Sequence, residues 1–195
     1  MTRAHDEDSA KELKASLAED VSGWLKISRS GHEEAWVWAE HPAHLDLSLL
    51  TRMEHALTPE QAVLVCLQIL RALSALHRTH RICGTLTPGS ILIDSGCQAM
   101  LGKRLVWYPY VYESQIENLD TKELSYWSPE RFSSLALPTP QSDMWAFGLI
   151  LYQLLCGDLP WQSQKRVPEL IKQIHQFNHT EALKRVPESI RSFLS

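Results

Sequence analysis

The side chains best suited to chemistry in this chain of 195 residues lie in one loop and just beyond it. The loop, residues 83–90, contains Thr85, Thr87 and Ser90, and Lys103 follows two predicted strands later. Transfer of a phosphoryl group needs a carboxylate to orient the nucleophile and oxygen ligands to hold magnesium on the phosphates. Thr85 cannot act as a carboxylate base, and the cation of Lys103 would repel a divalent metal. Loop 83–90 therefore offers hydroxyl groups but neither a carboxylate nor a side-chain amide oxygen for such a reaction.

Two short strands are predicted after this loop. Residues 91–94 form an apolar run of the length of a buried strand, and residues 99–102 form its partner. Gly96 lies in the turn between them, where glycine tolerates the positive φ that tight turns often need. This hairpin defines where the loop ends.

A long helix is predicted before the loop. Thr58 is suited to the N-cap, Pro59 to the first helical position and Gln61 to the third, which completes a capping box. The helix should run from Pro59 to about Thr79. Its expected apolar stripe, with the residues beside it, consists of Val63, Leu67, Leu70, Leu73, Cys66 and Ile69.

Segment 76–105 resembles the catalytic segment of the eukaryotic protein kinases, whose pattern is L-H-x5-H-R-D-L-K-P-x-N-I-L-I-D, then a short hairpin and D-F-G. The positions that match this pattern are Leu76, His77, Leu86, Pro88, Ile91, Leu92, Ile93 and Asp94. The positions that differ are Cys83-Gly84-Thr85 for His-Arg-Asp, Thr87 for Lys, Ser90 for the metal-binding Asn, and Lys103-Arg104-Leu105 for Asp-Phe-Gly. The resemblance therefore implies a kinase scaffold with no catalytic and no metal-binding residue, which is a pseudokinase and not an enzyme.

Two later motifs extend the resemblance. Residues 128–130 are similar to the family's Ala-Pro-Glu, and residues 142–148 are similar to the D-x-W-S-x-G start of its central helix. The family implies a structural role for Asp143, which binds backbone amides of the loop. It also implies that Glu130 is buried and pairs with a later arginine, which no residue after Ser195 supplies. A buried carboxylate without its partner is costly.

The segment before the long helix is expected to form a hairpin. Residues 24–28 and 35–39 have strand-like patterns, and residues 29–33 carry turn residues. In the kinase comparison this hairpin ends the small lobe, and residues 40–42 are the hinge. The nucleotide contacts that the resemblance implies are those of Ala39, Glu40, His41, Leu92 and Lys103. ATP bound there would be held through Lys103 without dependence on magnesium.

The fold class expected is α+β and protein kinase-like, a mostly helical large lobe with a remnant β-hairpin of the small lobe. Residues 1–20 form a polar N-terminal segment with helix-forming composition, and residues 21–195 form a truncated kinase-like domain. No G-x-G-x-x-G loop precedes the hinge. Without the later arginine, either Glu130 pairs with another cation or the chain is a fragment, a splice form or a truncated gene model, and we expect the second. The further helices predicted span residues 44–54, 142–156, 167–177 and 187–194, and Gly157 is expected to end the second of them.

One subfamily is similar to the chain near the hinge. Residues 27–33, followed by residues 39–41, resemble the kinase-like domain of the TBC-domain-containing kinase family. Those proteins join a pseudokinase-like domain to a Rab GTPase-activating TBC domain and a rhodanese-like domain. Neither of these other domains has a counterpart in the sequence.

Composition limits the partners and the compartment. The formal net charge is −4, so nucleic acid is not an expected partner. No uninterrupted apolar run reaches the ~18 residues of a membrane helix, and the polar N-terminus is not a signal peptide. The cysteines Cys66, Cys83, Cys97 and Cys156 lack metal-ligand spacing, which favours reduced thiols in a cytoplasmic protein.

Three functions are compatible with these observations. The first is a catalytically inactive pseudokinase that binds a protein partner, or other domains of a longer chain, as a regulatory scaffold. The second is a kinase-like domain that binds ATP, with Lys103 on the phosphates. The third is a residual serine/threonine protein kinase, for which Asp94 and Asp143 are the nearest replacement carboxylates. Thermal unfolding with and without ATP, each with and without magnesium, separates these functions, because a ligand that binds only the folded state must stabilise it.

Overall fold

A computed structural model describes residues 2–3, 29–33, 36–40, 45–51, 57–94, 96–102, 120–133, 137–161 and 166–194. Its strands are β1 (Thr2–Arg3), β2 (Arg29–Glu33), β3 (Trp36–Glu40), β4 (Leu45–Asp46), β5 (Ile91–Ile93) and β6 (Ala99–Leu101). Its helices are α1 (Leu47–Leu50), α2 (Pro59–Arg78), α3 (Thr121–Leu124), α4 (Pro129–Ser133), α5 (Pro140–Cys156), α6 (Val167–His175), α7 (His179–Leu183) and α8 (Glu188–Leu194). The predicted α+β class is confirmed, and the described part of the chain is mostly helical.

The first sheet has the strand order β1-β3-β2, with antiparallel pairing throughout. Strand β3 lies one residue later than predicted. The predicted turn at residues 29–33 is wrong, because these residues form β2, in which Glu33 pairs with Trp36 and Gly31 with Trp38. A sheet ladder requires only backbone N–H and C=O groups, so short and polar residues can take part in it. The predicted first strand, residues 24–28, lies outside the described residues.

The second sheet has the order β4-β5-β6 and follows the loop as predicted. Strand β5 pairs with β6, so that Leu92 lies opposite Met100. The predicted turn chemistry is wrong in one respect, because the positive φ of 59° belongs to Cys97 and not to Gly96. The Asp94 side chain accepts from Gly96 N at 2.8 Å and from Gln98 N at 2.9 Å, which shapes the turn instead.

The predicted helix at residues 44–54 is mostly replaced by other structure. Residues Leu45 and Asp46 form β4, which pairs with β5, and helix α1 covers only Leu47–Leu50. Asp46 begins this helix, because its side chain accepts from Ser48 N at 2.9 Å. Leu47, with no exposed surface, joins the short helix to the core.

The long helix α2 begins as the sequence predicts. Thr58 Oγ1 accepts from Gln61 N at 3.3 Å, and Gln61 Oε1 accepts from Thr58 N at 2.8 Å, which is the reciprocal capping box. The helix ends at Arg78, one residue before the predicted end.

The inward face of α2 differs from the predicted stripe. Its buried residues are Ala62, Val65, Cys66, Ile69, Ala72, Leu73 and Leu76. Leu67 is instead 40% exposed. The prediction left out the small residues Ala62 and Ala72, which are buried on the inward face of a helix that contacts α5. This pair of helices forms the centre of the core.

Helix α5 and the helices after it complete the described large unit. Thr139 caps α5, and Gly157 ends it with a φ of 85°, as the sequence predicts. Trp145, Trp161 and Phe177 form an aromatic cluster in which the Trp161 and Phe177 ring centroids lie 5.6 Å apart. The predicted helices at residues 167–177 and 187–194 are confirmed with slightly shorter bounds, and α7 was not predicted.

By length and composition alone, one helix in the described residues, α2, could cross a membrane. This contrasts with the expectation from uninterrupted apolar runs. The core helix of a soluble protein passes the same test, and the inward face of α2 packs against α5 and β6.

Residues 4–28 lie outside the described residues, so the domain boundary near residue 20 and the predicted N-terminal helix stay predictions.

Candidate functional site

Asp143 fixes the start of loop 83–90 from the first turns of α5. Its carboxylate, in a residue that is 1% exposed, accepts from Cys83 N at 2.9 Å and from Gly84 N at 2.7 Å. His77 Nε2 lies 2.8 Å from the same carboxylate, and because an ionised carboxylate only accepts, the ring donates. A buried charge is costly unless donors satisfy it, and here three do. Asp143 therefore holds the loop against both α2 and α5.

The start of α5 explains why the carboxylate lies there. Ser142 Oγ donates to Thr139 O at 2.8 Å and accepts from Thr139 N, also at 2.8 Å. Pro140 takes the first helical position, where no N–H is required. Asp143 follows in the first turn, near the positive end of the helix dipole, where a carboxylate is favourable.

Arg131 holds the same loop from its other side. This arginine of α4 is 5% exposed, and its Nη1 donates to Gly84 O at 2.9 Å. Its guanidinium carbon lies 3.7 Å from the centroid of the Trp127 ring, a cation–π geometry. The backbone N–H of Gly84 is thus hydrogen-bonded to a carboxylate, and its C=O is hydrogen-bonded to a guanidinium.

The conformation and packing at position 84 require glycine. Its φ is 72°, and an added Cβ would lie 3.0 Å from Cγ of Pro138. Both the left-handed backbone and the close approach favour glycine. The loop can therefore make its contacts with Asp143 and Arg131 only if residue 84 has no side chain.

The second half of the loop closes on itself in a 3₁₀ turn, Pro88–Ser90. Ser90 Oγ donates to Thr87 O at 2.7 Å and accepts from Thr87 N at 3.0 Å. Both residues are buried, so this serine hydroxyl serves the turn. Gly102 N also donates to Ser90 O at 2.7 Å, which joins the turn to the end of β6.

A small cavity of about 10 Å³ lies beneath the loop. Its lining includes Thr85, Thr87, Glu123, Ser128 and Asp143. Thr85, at the sequence position where the family has its catalytic Asp, is half-buried. The cavity brings Glu123 of α3 beside the two threonines of the loop, a neighbourhood that sequence reasoning missed.

A wide groove of about 910 Å³ opens on the outer side of the same loop. Its lining includes Ser48, Gly89, Glu123, Asp158 and Trp161. Glu123 therefore lines both the small cavity and the groove. The groove has the volume of a ligand site, and it runs past the loop from α1 to the end of α5.

The walls of the groove are fixed by buried contacts. Tyr126 Oη donates to Gln153 Oε1 at 2.5 Å, and burial raises the pKa of the Tyr126 phenol. Trp161 is 5% exposed and belongs to the aromatic cluster. Arg185 pairs with Asp158 at 2.8 Å on the rim. The groove thus combines an ordered floor with charges of both signs.

The predicted nucleotide contacts lie partly outside the described residues. Leu92 is half-buried in the middle of β5. Ala39 and Glu40 end strand β3, but their side chains lie outside the described residues, as do His41 and Lys103. The predicted ATP site stays a prediction.

Within the described residues, no group of three or more His, Cys, Asp and Glu side chains could hold a metal ion. The hydroxyl of Ser90 and the carboxylate of Asp143 are engaged with the backbone, so neither is arranged for magnesium.

Burial raises the pKa of the Cys66 thiol to about 12, so this cysteine is a protonated core residue at neutral pH.

The predicted role of Glu130 is wrong in one respect. Glu130 is exposed at the start of α4, whereas the resemblance implied a buried carboxylate. The buried charged residue of this motif is its neighbour Arg131. An arginine directly after the Pro-Glu pair was the available signal, and only the loop contact reveals its role.

Comparison with known proteins now adds to this geometry. A family model described as protein kinase domain matches residues 13–195. The carbon catabolite-derepressing protein kinase of Secale cereale is 30% identical over 107 residues, which covers 55% of this chain and 21% of the relative. The aligned part of this chain thus spans about a fifth of the curated relative it matches.

These comparisons correct one prediction. Both point to a protein kinase enzyme, so the prediction that the chain is not an enzyme is wrong. The predicted kinase-like fold is confirmed, because the matched range includes loop 83–90, the residues Asp143 and Arg131 that bind its backbone, and the groove. The chain belongs to the protein kinase domain family.

Proposed function

We propose that this chain is a serine/threonine protein kinase domain that holds a polypeptide in the groove beside loop 83–90 and transfers the terminal phosphate of ATP to its hydroxyl. The observation that carries the proposal is the position of the groove, which opens directly on a loop held by Asp143 and Arg131. Positioning supplies much of the catalysis in phosphoryl transfer, so a fixed loop beside a ligand-sized groove supports it.

The lining of the groove supports a polypeptide as the ligand. Asp120, Lys122 and Glu123 contribute charges on one side, and Asp158 and Arg185 contribute them on the other. Charges of both signs suit a chain with its own mixed polar groups, whereas a nucleic acid would require a basic surface. We therefore propose a protein as the partner of this groove, in the cytoplasm.

ATP enters this proposal as the second substrate. Leu92 and the residues around position 103 would receive it, with Lys103 on the phosphates. No step is assigned to magnesium, because the described donors at Ser90 and Asp143 do not fit it. The similarity to the TBC-domain-containing kinase family stays a prediction.

The test is label transfer by the purified chain. The chain is incubated with γ-labelled ATP and a degenerate library of serine- and threonine-containing peptides, with and without magnesium. Labelled peptide, together with a rise in the unfolding midpoint on addition of ATP, is the expected result, because ATP that binds the folded state stabilises it. Peptide without label under both conditions would contradict the proposed reaction.

Peptide binding is measured separately, by fluorescence anisotropy of a labelled member of the library. Gln153→Ala should weaken binding, because Gln153 lines the groove and holds Tyr126. Lys172→Ala, on exposed α6 surface outside the described groove lining, is the matched control and should bind as the wild type does.

A further inference from the structure

We propose that Glu123 supplies the carboxylate that the loop lacks: it orients the acceptor hydroxyl in the groove and takes its proton during phosphate transfer. The inference rests on the proposed kinase function. Phosphoryl transfer to a hydroxyl requires a carboxylate at the nucleophile, and residues 83–90 contain none. The carboxylate must therefore come from another element.

The replacement carboxylates that the sequence suggested have other roles. Asp143 is 1% exposed and is held by two backbone N–H groups and His77. Asp94 accepts from Gly96 N and Gln98 N in the hairpin turn. Removing either carboxylate from its donors would leave backbone N–H groups without their partner, so neither can turn toward a substrate at low cost.

The other carboxylates that line the groove are Asp120 and Asp158. Asp120 is the N-cap of α3, and its side chain accepts from Lys122 N at 2.9 Å. Asp158 lies on the rim, paired with Arg185 at 2.8 Å. Neither residue lines the cavity beneath the loop.

Glu123 differs from these residues by its position. Among the described carboxylates, it alone lines both the cavity beneath Thr85 and Thr87 and the groove outside them. It is half-buried, so it is accessible from the groove while lying beside the loop. A hydroxyl bound in the groove near the loop would therefore lie close to Glu123.

The backbone around Glu123 fixes this position. Leu124, the next residue, has no exposed surface and anchors α3 in the core. Glu123 O accepts from Tyr126 N at 3.1 Å, and Glu123 N donates to Asp120 O at 2.9 Å. These contacts fix the backbone of Glu123 at the edge that the cavity and the groove share.

The oxygen of a substrate serine or threonine attacks the γ-phosphorus of ATP, and the bond from that phosphorus to the bridging oxygen breaks. ADP leaves with the electron pair of that bond. The proton of the hydroxyl passes to the carboxylate of Glu123, and water later removes it.

The decisive experiment compares Glu123→Gln with Glu188→Gln in the full chain. The first variant removes the proton acceptor and keeps the shape, and the second makes the same change at an exposed residue of α8. A positioned general base contributes about 10²–10⁴-fold, so kcat should fall about 100-fold or more in Glu123→Gln, with the KM for ATP and the unfolding midpoint unchanged. Glu188→Gln should keep the wild-type kcat.

Formate rescue distinguishes chemistry from structure. Glu123→Ala opens space for a small carboxylate, so added formate should restore part of its activity, whereas it should not change that of Glu188→Ala. A wild-type chain that transfers phosphate while Glu123→Gln is equally active, or a Glu123→Ala variant that formate does not rescue, would overturn the role of Glu123 and leave the kinase function standing. A wild-type chain that transfers no phosphate would overturn the kinase function itself, and this role with it.

Discussion

Replacing Asp143 by asparagine should destabilise the chain markedly. The carboxylate offers two oxygens to Cys83 N and Gly84 N, at 2.9 and 2.7 Å. An asparagine offers one oxygen, and its NH2 group would face the second backbone N–H donor to donor. The change also removes the negative charge that His77 contacts at 2.8 Å.

The magnitude follows from the hydrogen bonds that the substitution removes. A hydrogen bond to a charged group contributes about 1.5–3 kcal/mol, and a buried N–H left unsatisfied costs about 1–3 kcal/mol. We therefore expect Asp143→Asn to lower the free energy of unfolding by about 3 kcal/mol. For a chain of this size, each kcal/mol lowers the unfolding midpoint by about 2–4 °C, so the midpoint should fall by about 6–12 °C.

Asp94→Asn is the matched control, measured by urea unfolding under the same conditions. Asp94 also accepts from two backbone N–H groups, but both bond to the same oxygen, Oδ1, which an asparagine retains, and the turn is open to water. We expect a loss of stability below about 1 kcal/mol there. If the free energy of unfolding of Asp143→Asn were within about 0.5 kcal/mol of the wild-type value, the stabilising role of the hydrogen bonds from the loop to Asp143 would be refuted. Equal losses of stability in the two variants would contradict the cost assigned to losing the second, buried oxygen of Asp143.

Three further outcomes are expected. Leu73→Ala, on the buried face of α2, should lower the free energy of unfolding by about 2–5 kcal/mol in urea titrations, whereas Leu64→Ala, which is 59% exposed on the same helix, should change it by less than about 0.5 kcal/mol. Gly84→Ala should cost about 1–2 kcal/mol because of its positive φ, and Gly148→Ala, in a helix with nothing within 4 Å, should raise the unfolding midpoint by adding about 0.5–1 kcal/mol. The pKa of the Cys66 thiol is raised by burial from 9.0 to about 12, so the unfolded chain loses this proton first as the pH rises. The contribution of Cys66 is complete well below pH 9.0 and should fall by about 2.7 kcal/mol by about pH 11. Urea unfolding of wild type and Cys66→Ala would measure this loss as the difference between their pH dependences.

Local signals allowed part of the structure to be predicted. The start of α2 could be read from Thr58, Pro59 and Gln61, because a capping box involves only neighbouring residues. The end of α5 could be read from Gly157 for the same reason. These features depend on a few adjacent side chains, and the sequence displays those directly.

The inward face of α2 and the strand β2 could not be predicted in the same way. Which side of α2 is buried depends on where α5 packs, and Ala62 contributes to that face without adding to an apolar stripe. Strand β2 contains Gly31 and polar residues, which a ladder of backbone hydrogen bonds accepts. Tertiary packing decided both cases.

The site was predictable only where a motif pointed to it. Asp143 was identified through its resemblance to a family motif, and its contacts with Cys83 N and Gly84 N fit that role. Arg131 and Glu123 lie far along the chain from the loop, and no local pattern connects them to it. Only the folded arrangement brings these two residues beside the loop.

The hydrogen bonds that Asp143 and Arg131 make to Gly84 have a consequence for the order of folding during synthesis. Its carbonyl is held by a residue 47 positions later, and its N–H by a residue 59 positions later. A nascent chain that has emerged only as far as β6 has neither clamp, so the loop stays unordered until α4 and α5 have also left the ribosome. The amide protons of Cys83 and Gly84 then exchange with solvent only when α5 detaches, which makes them reporters of that docking step.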